Sequence, residues 1–125
     1  MSPFAPLIRL LREKRNLRSK DAAALLGCEP SFLSAIENGL KIPSQSSEFI
    51  DLLIERYQLD EVEILKLMAA HQRSQRSYLL PLNATSDEYE LFYLLNKRLG
   101  NLMPNEITLM RIILSLNKHS TQQSI

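Results

Sequence analysis

Apolar residues recur along this chain at intervals of three and four, and short polar segments interrupt them. This spacing places apolar side chains on one side of an α-helix, whereas a strand needs alternation at every second residue. Five helical segments precede residue 76 and two follow it. Because alternating segments are few and the chain holds only three glycines, the pattern predicts an all-α protein.

Breakers and capping residues set the expected ends of these helices. Pro6 can open the first helix and Asn16 ends it, while Ser19 is the expected N-cap of the second. Asp60 and Thr85 each precede a glutamate by three residues, which is the spacing of a capping box. The expected helical ranges are about 6–16, 20–26, 30–38, 47–57, 61–70, 86–99 and 104–117, followed by a polar, frayed tail over 118–125.

The segment from Arg18 to Pro43 has the layout of two short helices joined by a tight turn. Gly27 lies between them and can adopt a positive φ without strain. Glu29 can serve as the N-cap of the second helix, with Pro30 at its first position, and Gly39 is a stop signal at its end. Small alanines before the turn let the two helices cross closely. This order of residues predicts a helix-turn-helix.

The same residues resemble the Cro/repressor-type, XRE-like helix-turn-helix regulators of phages and bacteria. The matching positions are Leu11-Arg12-Glu13-Lys14-Arg15-Asn16-Leu17, Ala23, Leu26-Gly27, Leu33-Ser34, Ile36-Glu37-Asn38-Gly39 and Pro43. The resemblance runs from Leu7 to about Leu59 and implies a five-helix DNA-binding domain, here residues 1–76. It also implies a salt bridge between Arg12 and Glu37 that ties helix 1 to helix 3. The alternative for this pair is two solvated charges that contribute little.

The resemblance further implies which residues face double-stranded DNA. The first turn of helix 2 faces phosphate, the leading residues of helix 3 face base edges in the major groove, and the end of helix 3 with its following loop reaches the backbone. The implied contact residues are Arg18, Ser19, Lys20, Glu29, Pro30, Ser31, Phe32, Ser34, Ala35, Asn38 and Lys41.

The base-facing positions depart from what members of this family often carry. Gln, Arg or Lys is common there, whereas Pro30 and Ala35 have no polar side chain. Ser31 and Ser34 can each serve several bases, and Phe32 can contact a thymine methyl. Direct readout is therefore thin, and paired half-sites, DNA shape and phosphate charge would have to compensate.

The last two helices, within residues 77–125, carry more apolar surface than one helical stripe requires. Two helices cannot bury that much surface against each other, so we expect a homodimer with a self-complementary interface. The alternative is that these helices cap the N-terminal core. The expected interface residues are Leu91, Phe92, Leu95, Leu99, Met110, Ile113 and Leu114.

Charge is unevenly distributed along the chain, although the net charge is only +1. Residues 1–41 hold seven basic and four acidic side chains, whereas residues 77–125 are balanced. The excess of positive charge therefore surrounds the helix-turn-helix, where binding to a phosphate backbone requires it.

No set of residues indicates an enzyme, a cofactor or a metal site. His71 and His119 are far apart in polar surroundings and are expected to be solvated, and no glycine-rich phosphate loop or metal-ligand spacing occurs. Cys28, the single cysteine, is expected to pack in the core, with redox sensing as the alternative. No signal peptide or membrane-spanning run is found, so the cytoplasm is the expected compartment.

These features predict a homodimeric repressor that binds a palindromic operator and does not bind membranes. Regulators of this size often belong to phages or other mobile elements. The competing interpretation is an antitoxin or adaptor whose C-terminal helices bind another protein. Small-molecule sensing is a third interpretation, although 125 residues leave little space for a ligand pocket.

Overall fold

The computed structural model describes residues 1–44 and 47–123, with side chains described as far as Leu116. Within these ranges the chain forms seven helices and no strand, so the predicted all-α fold is confirmed, and none of these helices is long and apolar enough to cross a membrane. The helices are α1 (Phe4–Lys14), α2 (Ser19–Leu26), α3 (Pro30–Glu37), α4 (Phe49–Arg56), α5 (Glu61–Arg73), α6 (Ser86–Arg98) and α7 (Pro104–Gln123). They divide between two compact units, one over Met1–Tyr78 and one from Leu79 onward.

Helix α1 begins earlier than the sequence predicts. The predicted start at Pro6 is wrong, because α1 begins at Phe4, directly after Pro3. The Phe4 amide donates to the buried Ser74 Oγ at 3.0 Å, which satisfies one of the donors that a helix start leaves free. Pro6 lies within the first turn, where its missing N–H costs nothing.

The predicted N-cap of α2 is wrong by one residue. Arg18 occupies this position with an extended backbone (φ −75°, ψ 156°), and its carbonyl accepts from the Ala22 amide at 2.9 Å. Ser19 is already the first residue of the helix. The start of α2 is therefore set by backbone geometry at Arg18 and not by a serine cap.

Gly27 and Gly39 follow α2 and α3 in the left-handed conformation, with φ of 72° and 76°. After α3, the Gly39 amide donates to Ile36 O (3.1 Å) and the Leu40 amide donates to Ala35 O (2.8 Å). These two bonds form a Schellman motif, which satisfies the last carbonyls of the helix. The predicted turn and stop glycines are confirmed.

The three later helices begin where the sequence predicts. Asp60 and Thr85 each form a complete capping box, and Pro104 opens α7. Helix α7 continues to Gln123, so the predicted frayed tail is wrong over residues 118–123. Neither proline nor glycine interrupts the chain after Pro104. Residues 124 and 125, the end of that predicted tail, lie outside the described residues.

The core of the first unit forms between α1, α2, α3, α4 and α5. Ala22 and Ala23 are fully buried where α2 packs on α3 and α4, so their small side chains permit the close crossing. The largest fully buried side chains are Phe4, Ile8, Leu33, Ile36, Leu53 and Leu67. This core buries the inner face of α3 and leaves its outer face in solvent.

The second unit buries much less of its apolar surface. No residue of α6 is buried, and large apolar side chains are exposed on both helices. Leu91 on α6 is 65% exposed and Leu114 on α7 is 71% exposed. The apolar excess noted in the sequence therefore remains in contact with solvent in the single chain.

Candidate nucleic-acid interface

The outer face of α3 presents a row of small polar side chains. Glu29 holds the N-cap position and Pro30 the first helical position, as predicted. Ser31, Ser34 and Asn38 are exposed at a spacing of three and four residues, which places them on one side of the helix. Glu29 and Pro30 are exposed as well. The leading turn of α3 is thus open to solvent within the described part of the chain.

Exposed cations precede and follow α3 in the chain. Arg18, Ser19 and Lys20 are exposed at the start of α2, where backbone amides and the positive end of the helix dipole favour an anion. Lys41, in the loop after α3, is also exposed, and its Nζ lies 5.6 Å from the centroid of the Phe32 ring. These groups can supply sequence-independent contacts to phosphate.

Two of the predicted contact residues are only half exposed. The Phe32 ring packs on the core, with its centroid 5.6 Å from that of Phe49 in α4. Ala35 is half buried, and its carbonyl accepts from the amides of Leu40 and Lys41. Phe32 therefore has a packing role, and only the exposed part of its ring remains for a thymine methyl.

The ion pair expected between Arg12 and Glu37 is present and bidentate. Arg12 Nε lies 2.8 Å from Glu37 Oε2, and Arg12 Nη2 lies 3.0 Å from Glu37 Oε1. Glu37 is 4% exposed, so the pair is not two solvated charges. Hydrogen bonding to Glu37 raises the pKa of Arg12 above its ordinary value, although burial opposes it. Since Arg12 also donates to Leu17 O, it fixes α3 and the chain before α2 to α1.

A second buried acid, Glu63 on α5, is held by two cations at the C-terminal end of α1, an interaction that sequence reasoning missed. Arg15 Nη2 lies 2.8 Å and Lys14 Nζ 3.3 Å from the Glu63 carboxylate. Arg15 Nε also donates to Tyr57 O at 2.6 Å. In the sequence, the spacing from Asp60 already explains Glu63 as part of a capping box. The sequence therefore gives no reason to expect an ion pair as well. This cluster ties α5 to the helix that supports α3.

Arg9 is a further residue that sequence reasoning missed, because no pattern in the sequence links it to a residue 29 positions away. Its Nη2 donates to Asn38 Oδ1 at 2.9 Å, and its Nε lies 3.6 Å from Glu37 Oε1. Asn38 Nδ2 in turn donates to Ser34 Oγ at 3.2 Å. Arg9 therefore contacts the exposed outer face of α3 through Asn38.

The predictions for the histidines and for the cysteine have different outcomes. The prediction of a solvated His71 is wrong, because this side chain is buried and its Nε2 donates to Pro43 O at 2.7 Å. The side chain of His119 lies outside the described residues. Cys28 is half buried against the core. Burial raises the pKa of the Cys28 thiol, which lowers the thiolate fraction that redox sensing needs.

Comparison with known proteins agrees with this geometry. A family model described as a helix-turn-helix domain matches residues 4–67, just over half of the chain. The match begins with α1 and ends within α5, and it is consistent with the resemblance to XRE-like regulators. No curated protein and no solved structure matches the chain. The chain therefore belongs to the helix-turn-helix domain family, and this domain supports a role as a DNA-binding regulator.

Proposed function

We propose that this protein is a sequence-specific, homodimeric transcriptional repressor that binds a palindromic operator through α3. The observation that carries this proposal is the exposed leading turn of α3, where Pro30, Ser31 and Ser34 project from a helix whose other face is buried. A short, rigidly held helix of this kind fits the major groove. We assign DNA binding to residues 1–76 and dimerisation to residues 77–125.

In this proposal the chain makes two kinds of contact with DNA, to the phosphate backbone and to the bases. Arg18, Ser19 and Lys20 bind phosphate from the first turn of α2, and Lys41 binds it from the loop after α3. The residues that face the bases are Glu29, Pro30, Ser31 and Ser34, together with the exposed edges of Phe32 and Ala35. Asn38, directly after α3, reaches the DNA backbone in this proposal. The buried Arg12–Glu37 pair holds α3 at a fixed angle on α1, so that these contacts act together.

We infer dimerisation because these residues can distinguish only a few bases. Two serines and one glutamate offer few distinct hydrogen bonds to base edges. A second copy on the adjacent half-site doubles the contacts and adds the spacing of about one helical turn of DNA as a criterion. The apolar residues exposed on α6 and α7 supply the surface for that second copy.

The test is selection of bound sequences from a random DNA library, followed by footprinting on the DNA upstream of the protein's own gene. We expect an inverted repeat and protection of both half-sites. Ser31→Ala should change the preferred bases at one symmetric pair of positions. Equal binding to all sequences at moderate salt would contradict the proposal, because phosphate contact alone does not discriminate.

A second function is favoured by the same apolar surface on α6 and α7. An antitoxin or adaptor would bind another protein with these helices and bind DNA weakly or not at all. Affinity capture from the native host, compared with a gel shift on the upstream DNA, separates the two functions. Capture of one stoichiometric protein together with no shift would favour the adaptor.

A further inference from the structure

A row of three polar side chains connects α1 to the outer face of α3. Arg9 donates to Asn38 Oδ1 at 2.9 Å, and Asn38 Nδ2 donates to Ser34 Oγ at 3.2 Å. All three residues are exposed, so the row lies on the surface that the proposed function assigns to DNA. Arg9 is held in turn by Glu37, whose carbonyl it approaches at 3.5 Å and whose carboxylate it approaches at 3.6 Å.

The chemistry of arginine fixes the direction of every hydrogen bond in this row. A guanidinium carries donors and no acceptor, so the Asn38 amide must turn its oxygen toward Arg9. Its NH₂ group then faces Ser34 and can only donate. One lone pair of Ser34 Oγ is thereby occupied and the hydroxyl proton points away from Asn38. Accepting this bond polarises the hydroxyl and makes it a stronger donor, while its second lone pair remains available.

We propose that Arg9 and Asn38 are positioning residues that bias Ser34 toward donating a hydrogen bond to a base edge. This inference rests on the proposed DNA-binding function and adds a base preference to it. The major-groove acceptors are purine N7, guanine O6 and thymine O4. Ser34 should therefore favour one of these acceptors over the amino groups of adenine and cytosine at the base pair it faces.

Ser31 provides the internal comparison. Among the described residues its hydroxyl has no hydrogen-bond partner, so it can donate or accept as the base requires. The Arg9 row ends at Ser34 and does not extend to Ser31. Changing Arg9 should therefore alter the preference at the position that Ser34 faces and leave the position that Ser31 faces unchanged.

The experiment compares base preferences of the full chain and its variants in selection from a random DNA library. Ser34→Ala and Ser31→Ala identify the positions that each serine faces. Arg9→Gln offers an amide oxygen that can accept, so it no longer fixes the Asn38 amide, whereas Arg9→Lys is still only a donor. Arg73→Gln removes an exposed charge elsewhere in the first unit and is the matched control.

We expect Arg9→Gln and Asn38→Ala to reduce the preference at the Ser34 position by about threefold, because the released Ser34 hydroxyl can then accept from an amino group as readily as it donates. Arg9→Lys should retain most of it, and Arg73→Gln all of it. Adding Arg9→Gln to Ser34→Ala should cause no further change at that position. Far-ultraviolet circular dichroism and thermal unfolding check that each variant folds.

Three results would overturn the inference. One is a base preference that Ser34→Ala does not change, and another is a change with Ser34→Ala that Arg9→Gln fails to reproduce. The third is a uniform loss of affinity with Arg9→Gln, which would make Ser34 or Arg9 a phosphate contact. A wild-type protein without any base preference would instead contradict the proposed function itself.

Discussion

Glu63 carries two structural roles in one side chain. Its Oε1 accepts from the Asp60 amide at 3.1 Å as part of the capping box of α5. The same carboxylate binds Lys14, the last residue of α1, and Arg15, which directly follows it. The hydrogen bonds from Arg15 lower the pKa of Glu63 from its ordinary value of 4.5 to about 2, against the opposing effect of burial. The ionised form therefore stabilises the folded first unit.

The first prediction is a loss of this stabilisation in acid. Because the pKa of Glu63 is lower in the folded than in the unfolded chain, its contribution is present above about pH 4.5 and is lost as the pH falls toward 2. The shift corresponds to roughly 3 kcal/mol at neutral pH. Glu63→Gln should destabilise the protein at pH 7 and much less at pH 3, as measured by urea unfolding. Glu61→Gln, exposed on the same turn, is the control, and an equal difference at both pH values would contradict the assignment.

Tyr57 gives a second prediction, in which the substitution does not destabilise the protein. Its side chain is buried, and among the described residues its hydroxyl has no hydrogen-bond partner. Burial is the main cause that raises the pKa of Tyr57 to about 12. Tyr57→Phe removes a desolvated hydroxyl and keeps the ring below Arg15, so the free energy of unfolding should stay constant or rise by about 1 kcal/mol. A decrease in the urea midpoint would contradict this prediction, because it would mean that the hydroxyl forms a stabilising hydrogen bond in solution.

At the scale of the helices, breakers determine what can be predicted from sequence. Gly27, Gly39 and Pro104 act locally, and each has the role that its residue type indicates. The start of α1 depends instead on Ser74, which lies 70 residues away in the chain. The Arg15–Glu63 pair and the burial of His71 depend in the same way on packing of α5 against distant segments. No periodicity or capping signal encodes these contacts.

The turn between α2 and α3 is the element whose backbone can be tested directly. Among the described residues, a Cβ built on Gly27 would meet no atom within 4 Å, so its positive φ of 72° is the source of strain in a substitution. Gly27→Ala should lower the free energy of unfolding by about 1 kcal/mol. Gly27→Asn should cost less, because asparagine tolerates the left-handed conformation. Equal losses for both variants would show that space, and not conformation, limits this turn.

For the molecule as a whole, the proposed phosphate contacts predict how affinity depends on salt. Arg18→Ala and Lys41→Ala should each weaken binding to all sequences alike and reduce the slope of log K against log salt by about 0.9. Lys66→Ala, an exposed cation on α5, should leave the slope unchanged. Fluorescence anisotropy with specific and random duplexes across salt concentrations measures both quantities. An unchanged slope for Arg18→Ala would remove Arg18 from the phosphate contacts.

Assembly is the property of the whole molecule on which the proposed repressor depends most. Leu95 and Ile113 both line an apolar groove between α6 and α7, and placing two charges there should prevent a second copy from covering it. The double variant Leu95→Glu, Ile113→Glu is expected to be monomeric in multi-angle light scattering and to bind the palindrome no more tightly than one half-site. Leu65→Glu, at a 72% exposed position on α5, is the matched control and should remain dimeric. If the double variant keeps the mass of a dimer, α6 and α7 are not the dimer interface. If wild type is already monomeric and captures another protein through this groove, the chain acts as an adaptor.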